Sequence, residues 1–176
     1  MKVIKAKTAG FCFGVKRAVD TVYKQVDTKC GQIYTYGPII HNEEVIKDMR
    51  DKGVIVLRSE EDLDMISQGT VIIRSHGVEK RIYEKIEQKG LRIVDATCPF
   101  VKKIHNIVSE KSGEGFHIII IGNPEHPEVV GIKGWAKDNV TVIQSAEDAE
   151  CFTADRKEKI CIVSQTTFNY NKFKDL

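Results

Sequence analysis

Eight side chains stand out for the chemistry they could do: Cys12, Cys98, His41, His76, His126, Glu128, Thr166 and Thr167. Cys12 sits in Ala9-Gly10-Phe11-Cys12-Phe13-Gly14-Val15, and an apolar pattern of helical spacing follows it: Val15, Ala18, Val19, Val22, Tyr23 and Val26. A helix starting just after the thiol, with Lys16 and Arg17 in its first turns, favours the thiolate, the form that binds metal or attacks. Cys98 lies in Asp95-Ala96-Thr97-Cys98-Pro99, beside a proline. His41, His76 and His126 each stand in a turn next to Gly or Pro, a context that suits a metal or an anion. Glu128 follows Pro127 at a helix start, where the helix dipole accounts for a carboxylate; beside His126 it could also relay protons. Thr166 and Thr167 could cap a helix or reach a ligand with a hydroxyl.

The donor set narrows the metal. A structural zinc site usually takes paired ligands at short spacing, and neither C-x-x-C nor H-x-x-x-H occurs. An iron–sulfur cluster accepts thiolates from distant loops, which is what Cys12 and Cys98 offer. Five cysteines (Cys12, Cys30, Cys98, Cys151, Cys161) at wide, irregular gaps do not make a disulfide framework. The sequence carries no Walker P-loop, and no G-x-G-x-x-G follows a strand.

The elements that must hold these residues alternate. Strands are predicted at Lys2–Ala6, Gln32–Tyr36, Val54–Leu57, Thr70–Arg74, Leu91–Val94, Phe116–Ile121, Val140–Ile143 and Lys159–Val163. Val54–Leu57 is a continuous apolar run and reads as buried on both faces. Helices are predicted from Gly14 to near Cys30-Gly31, over Glu43–Arg50 behind an Asn42 cap, after Ser59, and over Glu79–Lys89. Further helices follow from Pro99 to about Lys111, from Glu128 to about Lys137, and over Ser145–Glu150. His105 reads as a solvated helix residue, and His117 and Cys161 as strand residues.

Strand–helix alternation implies an α/β fold of parallel sheets with right-handed crossovers. Two similar lobes are expected, at 14–97 and 98–176, preceded by a strand and Cys loop at 1–13. Nearly every polar cluster falls just after a strand, the edge where open α/β sheets bind ligands.

A net charge of +2 indicates no nucleic-acid footprint, and no stretch is long and apolar enough for a signal peptide or a membrane span. A cytoplasmic location, with reduced thiols, is expected.

Six segments in order resemble one family. They are Ala9-Gly10-Phe11-Cys12-Phe13-Gly14-Val15, Tyr36-Gly37-Pro38-Ile39-Ile40-His41-Asn42, Arg74-Ser75-His76-Gly77-Val78, Asp95-Ala96-Thr97-Cys98-Pro99, Gly122-Asn123-Pro124-Glu125-His126-Pro127-Glu128 and Ser164-Gln165-Thr166-Thr167. The family is that of the 4-hydroxy-3-methylbut-2-enyl diphosphate reductases of the non-mevalonate isoprenoid pathway. The resemblance implies three α/β lobes around a [4Fe-4S] cluster held by three cysteines, and Cys12 and Cys98 match two of them. It further implies that His41, His76 and His126 hold the substrate diphosphate, that Glu128 donates a proton and that Thr166 positions the substrate alcohol. The implied reaction is a two-electron reductive dehydroxylation giving isopentenyl and dimethylallyl diphosphate, with electrons from ferredoxin or flavodoxin. The sequence stops at Leu176, ahead of the family's third lobe, its third cysteine and its Ser-x-Asn group. Two rival readings rest on the same residues without a cluster. One is a His/Glu-dependent phosphate-ester enzyme, and the other a module that binds a phosphorylated metabolite.

Overall fold

The computed structural model describes residues 2–28, 31–155 and 157–176. The end of the first helix near Cys30, and Cys30 itself, lie outside them. The described chain forms two parallel sheets with helices on both faces, as the alternation predicts.

The first sheet has the order β2-β1-β3-β4, built from β1 (Ile33–Tyr36), β2 (Ile55–Leu57), β3 (Thr70–Ile73) and β4 (Arg92–Asp95). Its central strand β3 is buried along its whole length, and successive side chains feed opposite cores. Ile72 packs with Ala18, Val19 and Val22 of α1 (Phe13–Thr28) and Met49 of α2 (Glu43–Asp51). Val71 and Ile73 pack with Leu63 of α3 (Glu60–Asp64) and with Ile82 and Ile86 of α4 (Lys80–Gln88). Local caps agree with the sequence: the Asn42 side chain accepts from the Val45 N–H at 3.0 Å, and Ser59 accepts from Asp62 N–H.

The second sheet has the order β6-β5-β7, with β5 (His117–Ile121) between β6 (Val140–Ile143) and β7 (Ile160–Ser164). Ile118 and Ile120 face Val108 of α5 (Pro99–Gly113) and Val129 and Ile132 of α6 (Pro127–Lys133). Ile119 and Ile121 face Ala149 of α7 (Ala146–Cys151) and Leu176, beyond α8 (Tyr170–Asp175).

Four expectations change. Lys2–Ala6 is not a strand: no described strand offers it a ladder, and Val3 and Ile4 are exposed. β2 is an edge strand rather than one buried on both faces, with Ile55 47% exposed, because β1 pairs with it on one side and no described strand lies on the other. α6 ends at Lys133, with Gly134 at its C-cap, and does not run on to Lys137. His105 is not solvated. It is 1% exposed, on the same helical face as Val101 and Val108, and stacks on Trp135 at 5.1 Å between ring centroids. No described helix is long and apolar enough to cross a membrane.

Candidate functional site

The loops that leave the strand ends are laced together by backbone. After β1, the chain turns at Gly37-Pro38 and buries Ile39 and Ile40, which leaves His41 exposed at the loop end. The Ile39 carbonyl accepts from both the N–H and the hydroxyl of Ser75, at 3.3 and 3.1 Å. The Ser75 carbonyl in turn accepts the Cys98 N–H at 2.9 Å. Three loops, those of His41, His76 and Cys98, are thereby held in one register. Gly77 has φ +72°, a conformation that favours glycine, and a Cβ there would lie 2.4 Å from the His105 ring.

α6 of the second lobe packs on this assembly. The Trp135 Nε1–H donates to the Val78 carbonyl at 2.9 Å, and a Cβ on Gly131 would stand 3.6 Å from the His76 carbonyl oxygen. His126, at the N-cap of α6, therefore faces His76 across the seam. The ring centroids of His41 and His76 are 4.8 Å apart, those of His76 and His126 5.5 Å, and those of His41 and His126 6.4 Å. One ring nitrogen from each lies within 4.8 Å of the others, so one ligand can meet all three.

Their charge state follows from their surroundings. Burial, reinforced by the charges of His41, Arg74 and His126, pulls His76 down to about 4. Burial also lowers His126; Glu128 works against this, while His41 and Arg74 add to it. His126 Nδ1 accepts the Glu128 N–H at 3.1 Å, so the neutral ring carries its proton on Nε2, which makes Nε2 a donor.

Glu128 is 2% exposed. Its Oε1 accepts the Thr166 N–H at 2.6 Å and its Oε2 accepts the Thr166 hydroxyl at 2.8 Å. That pair joins α6 to the loop after β7. Thr167, also exposed, accepts from the Gln165 amide at 2.9 Å and does not bond to Glu128.

Two cysteines lie near the start of α1. Cys12 is exposed one residue before that helix, and half-buried Cys98 is the N-cap of α5. Cys98 Sγ presses on Gly14, where a Cβ would come within 2.5 Å of it. Arg17 fastens α1 to the Cys98 loop by donating to the Thr97 carbonyl at 2.8 Å and the Asp95 carbonyl at 3.2 Å. Cys151 is exposed and Cys161 half-buried in β7.

Sequence reasoning missed Arg74 and Trp135, and it read Arg17 only as a charge near Cys12, not as the tie to the Cys98 loop. Arginine reads as surface charge, and the role of Trp135 exists only across the seam. Its one sequence signal is that it follows directly on the helix that carries Glu128.

The chain is similar to known proteins over almost its whole length. The family model described as LytB protein matches residues 3–176. A 4-hydroxy-3-methylbut-2-enyl diphosphate reductase of Caldanaerobacter subterraneus subsp. tengcongensis is 46% identical over all of this chain and 61% of its own length. One from a Thermoanaerobacter species is 48% identical, again over all of this chain and 61% of that protein. The chain thus spans about three-fifths of the length of these curated relatives. Among solved structures, the E-1-hydroxy-2-methyl-but-2-enyl-4-diphosphate reductase from Plasmodium falciparum superposes with a TM-score of 0.89. It is 31% identical, over 96% of this chain and 52% of that one. A structure of (E)-4-hydroxy-3-methyl-but-2-enyl diphosphate reductase gives a TM-score of 0.82 at 38% identity, over 98% of this chain and 61% of that one. With a family model matched from residue 3 to residue 176 and solved relatives that superpose over nearly the whole of it, the chain belongs to the LytB protein family.

Proposed function

We propose that this chain carries the diphosphate-binding and proton-donating half of a 4-hydroxy-3-methylbut-2-enyl diphosphate reductase, acting with a [4Fe-4S] cluster. The observation that carries this reading is the meeting of three histidines from three loops beside buried Glu128 and its Thr166 partner, in a member of the LytB family.

The diphosphate fits the histidines. The neutral rings of His76 and His126 present N–H donors, and a dianion entering beside them raises their affinity for protons by favouring the charged form. His126 offers Nε2–H, because its Nδ1 is engaged by the Glu128 N–H. His76, neutral above about pH 4, gains most from an anion, since its burial is otherwise uncompensated.

Replacing the substrate's C–OH by C–H consumes two electrons and two protons and releases water. Glu128 is the proton source in this reading. Thr166 is exposed while Glu128 is not, so the Thr166 hydroxyl stands between the carboxyl group and an incoming alcohol. Both Glu128 oxygens accept from Thr166 here, so the carboxylate must first take up a proton on Oε2; that O–H then donates to the Thr166 oxygen while the Thr166 hydroxyl gives its own proton to the alcohol.

The thiols fit a cluster on one observation: Gly14 leaves a cradle that a Cβ would fill, and this lets Cys98 Sγ approach the start of α1, next to Cys12. Cys12 and Cys98 would be two of its ligands, with a third cysteine expected beyond Leu176. Bound there, the cluster supplies a Lewis-acidic iron for the hydroxyl and electrons one at a time. Electrons would reach it from a ferredoxin or flavodoxin.

Calorimetric titration with 4-hydroxy-3-methylbut-2-enyl diphosphate tests the reading. His41→Ala and His76→Ala are each expected to weaken binding at least tenfold, with proton uptake measurable in buffers of different ionisation heat. Parental affinity in both variants would refute the anion site. A phosphate-ester enzyme or a binding module would use the same histidines, but neither explains the cradle that brings Cys98 to the start of α1.

A further inference from the structure

A second concavity opens at the carboxyl ends of β1 and β2, and none of the three site histidines lines it. Its volume is about 540 Å³, within the range of small-molecule sites. Lys47 and Arg50 of α2, Arg58 after β2 and Arg74 after β3 all line it. Among the described residues, no carboxylate lies within ion-pair distance of any of these four cations. Glu43 and Glu44 also reach the wall, in the first turn of α2, where the helix dipole already favours them.

Arg74 gives the basin its direction. It is half-buried, and its guanidinium lies over Gly37: a Cβ there, at φ +74°, would come within 2.5 Å of Nη1. β1 and β3 are neighbours in the sheet, while β2 lies on the other side of β1. Arg74 thus crosses the point where the strand order reverses, the crevice in which open α/β sheets bind ligands. Its Nε donates to the Gly77 carbonyl at 3.3 Å, and its two terminal nitrogens make no hydrogen bond among the described residues. Burial depresses its affinity for the proton, with partial relief from Tyr36. A charge withdrawn from water and left unpaired is costly, and an anion supplies the missing partner. The planar fork of arginine matches phosphate oxygens two at a time.

We propose that this basin is a second anion site, separate from the histidine cluster, which takes the phosphate group of a small phosphorylated ligand. Arg74 forms the floor, and Lys47, Arg50 and Arg58 close on the ligand from α2 and from the end of β2. A concave wall carrying two glutamates suits a compact anion better than the broad face of an acidic protein.

The test is a heteronuclear NMR titration of this chain with inorganic diphosphate. Backbone amides of Gly37 and Arg58 are expected to shift saturably, with an affinity that falls as salt is added. The double variant Arg50→Ala/Arg58→Ala should weaken that response at least tenfold while leaving the diphosphate-induced shifts of His41 and His76 in place. No saturable shift at Gly37 and Arg58 would overturn the proposal. So would shifts of unchanged affinity in the double variant, since the arginines would then not hold the anion. A response to acidic polypeptide with none to diphosphate would overturn it in favour of a protein-docking face.

Discussion

Gly14→Ala isolates the contact that sets the Cys98 thiol. Gly14 is the second residue of α1, is buried, and is not in the left-handed region. On helix propensity alone, alanine should stabilise α1 by about 1 kcal/mol. The new Cβ, however, would sit 2.5 Å from Cys98 Sγ and 3.1 Å from Cys98 Cβ, against about 3.5–4.0 Å for relaxed carbon contacts. Overpacking of this kind costs about 1–3 kcal/mol, so the net loss is about 0–2 kcal/mol. Arg17 restrains escape, because its bonds to the Thr97 and Asp95 carbonyls hold the Cys98 loop against the same helix. The thiol must rotate or the loop must part from α1. Urea unfolding measures the first quantity, and alkylation of Cys98, followed by peptide mass, measures the second. In a Cys98→Ala background the sulfur is gone, so Gly14→Ala should be more favourable there by about 1 kcal/mol or more. Additivity of the two substitutions within about 0.5 kcal/mol, with unaltered Cys98 alkylation, would refute the reasoning.

Three further outcomes are expected. Glu128→Gln keeps the shape and accepts from Thr166 but cannot yield a proton in the same way; on the proposed function, turnover by the full-length enzyme should fall about 10²–10⁴-fold with substrate affinity retained, and near-parental turnover would remove Glu128 from the chemistry. Trp135→Phe keeps the stack on His105 but strips the Val78 carbonyl of its donor, a loss of about 1–3 kcal/mol by chemical denaturation; a change below about 0.5 kcal/mol would show that water replaces the bond. Burial lowers His105 to about 4 from 6.5, a shift that Asp95 opposes and Lys102 reinforces, so the unfolded chain binds its proton first as pH falls. Stability from this group is complete above pH 6.5 and is lost as pH drops from 6.5 to about 4, by about 3 kcal/mol at most, and His105→Leu should flatten that part of the profile.

The sheets were legible because both central strands are continuous apolar runs, Val71-Ile72-Ile73 and Ile118 to Ile121, bounded by glycine or polar turns. The strand-end rule then gathered the histidines without any knowledge of distance. What failed was whatever depends on a neighbour. Ile55 looks like core in a run of four apolar residues, but its strand has a partner on one side only. Lys2–Ala6 alternates like a strand, but alternation without an adjacent ladder leaves Val3 and Ile4 in water. His105 carried a signal that was misread, since Val101, His105, Val108 and Ser112 fall on one buried helical face. A helix after Thr166 and Thr167 was expected without bounds, since six polar-rich residues carry little periodicity; its cap is not either threonine but Asn169, which accepts from Asn171 and Lys172 N–H.

The Ile39–Ser75–Cys98 lacing bears on the heat and speed of binding. Ordering a loop residue costs about 1–2 kcal/mol, and the loops that bear His41, His76 and Cys98 have already met that cost through backbone bonds made on folding. A diphosphate entering among the histidines should therefore bring a small heat-capacity change, because little apolar surface is newly covered. Its association should be single-exponential and limited by diffusion and charge rather than by a conformational step, and it should slow as ionic strength rises.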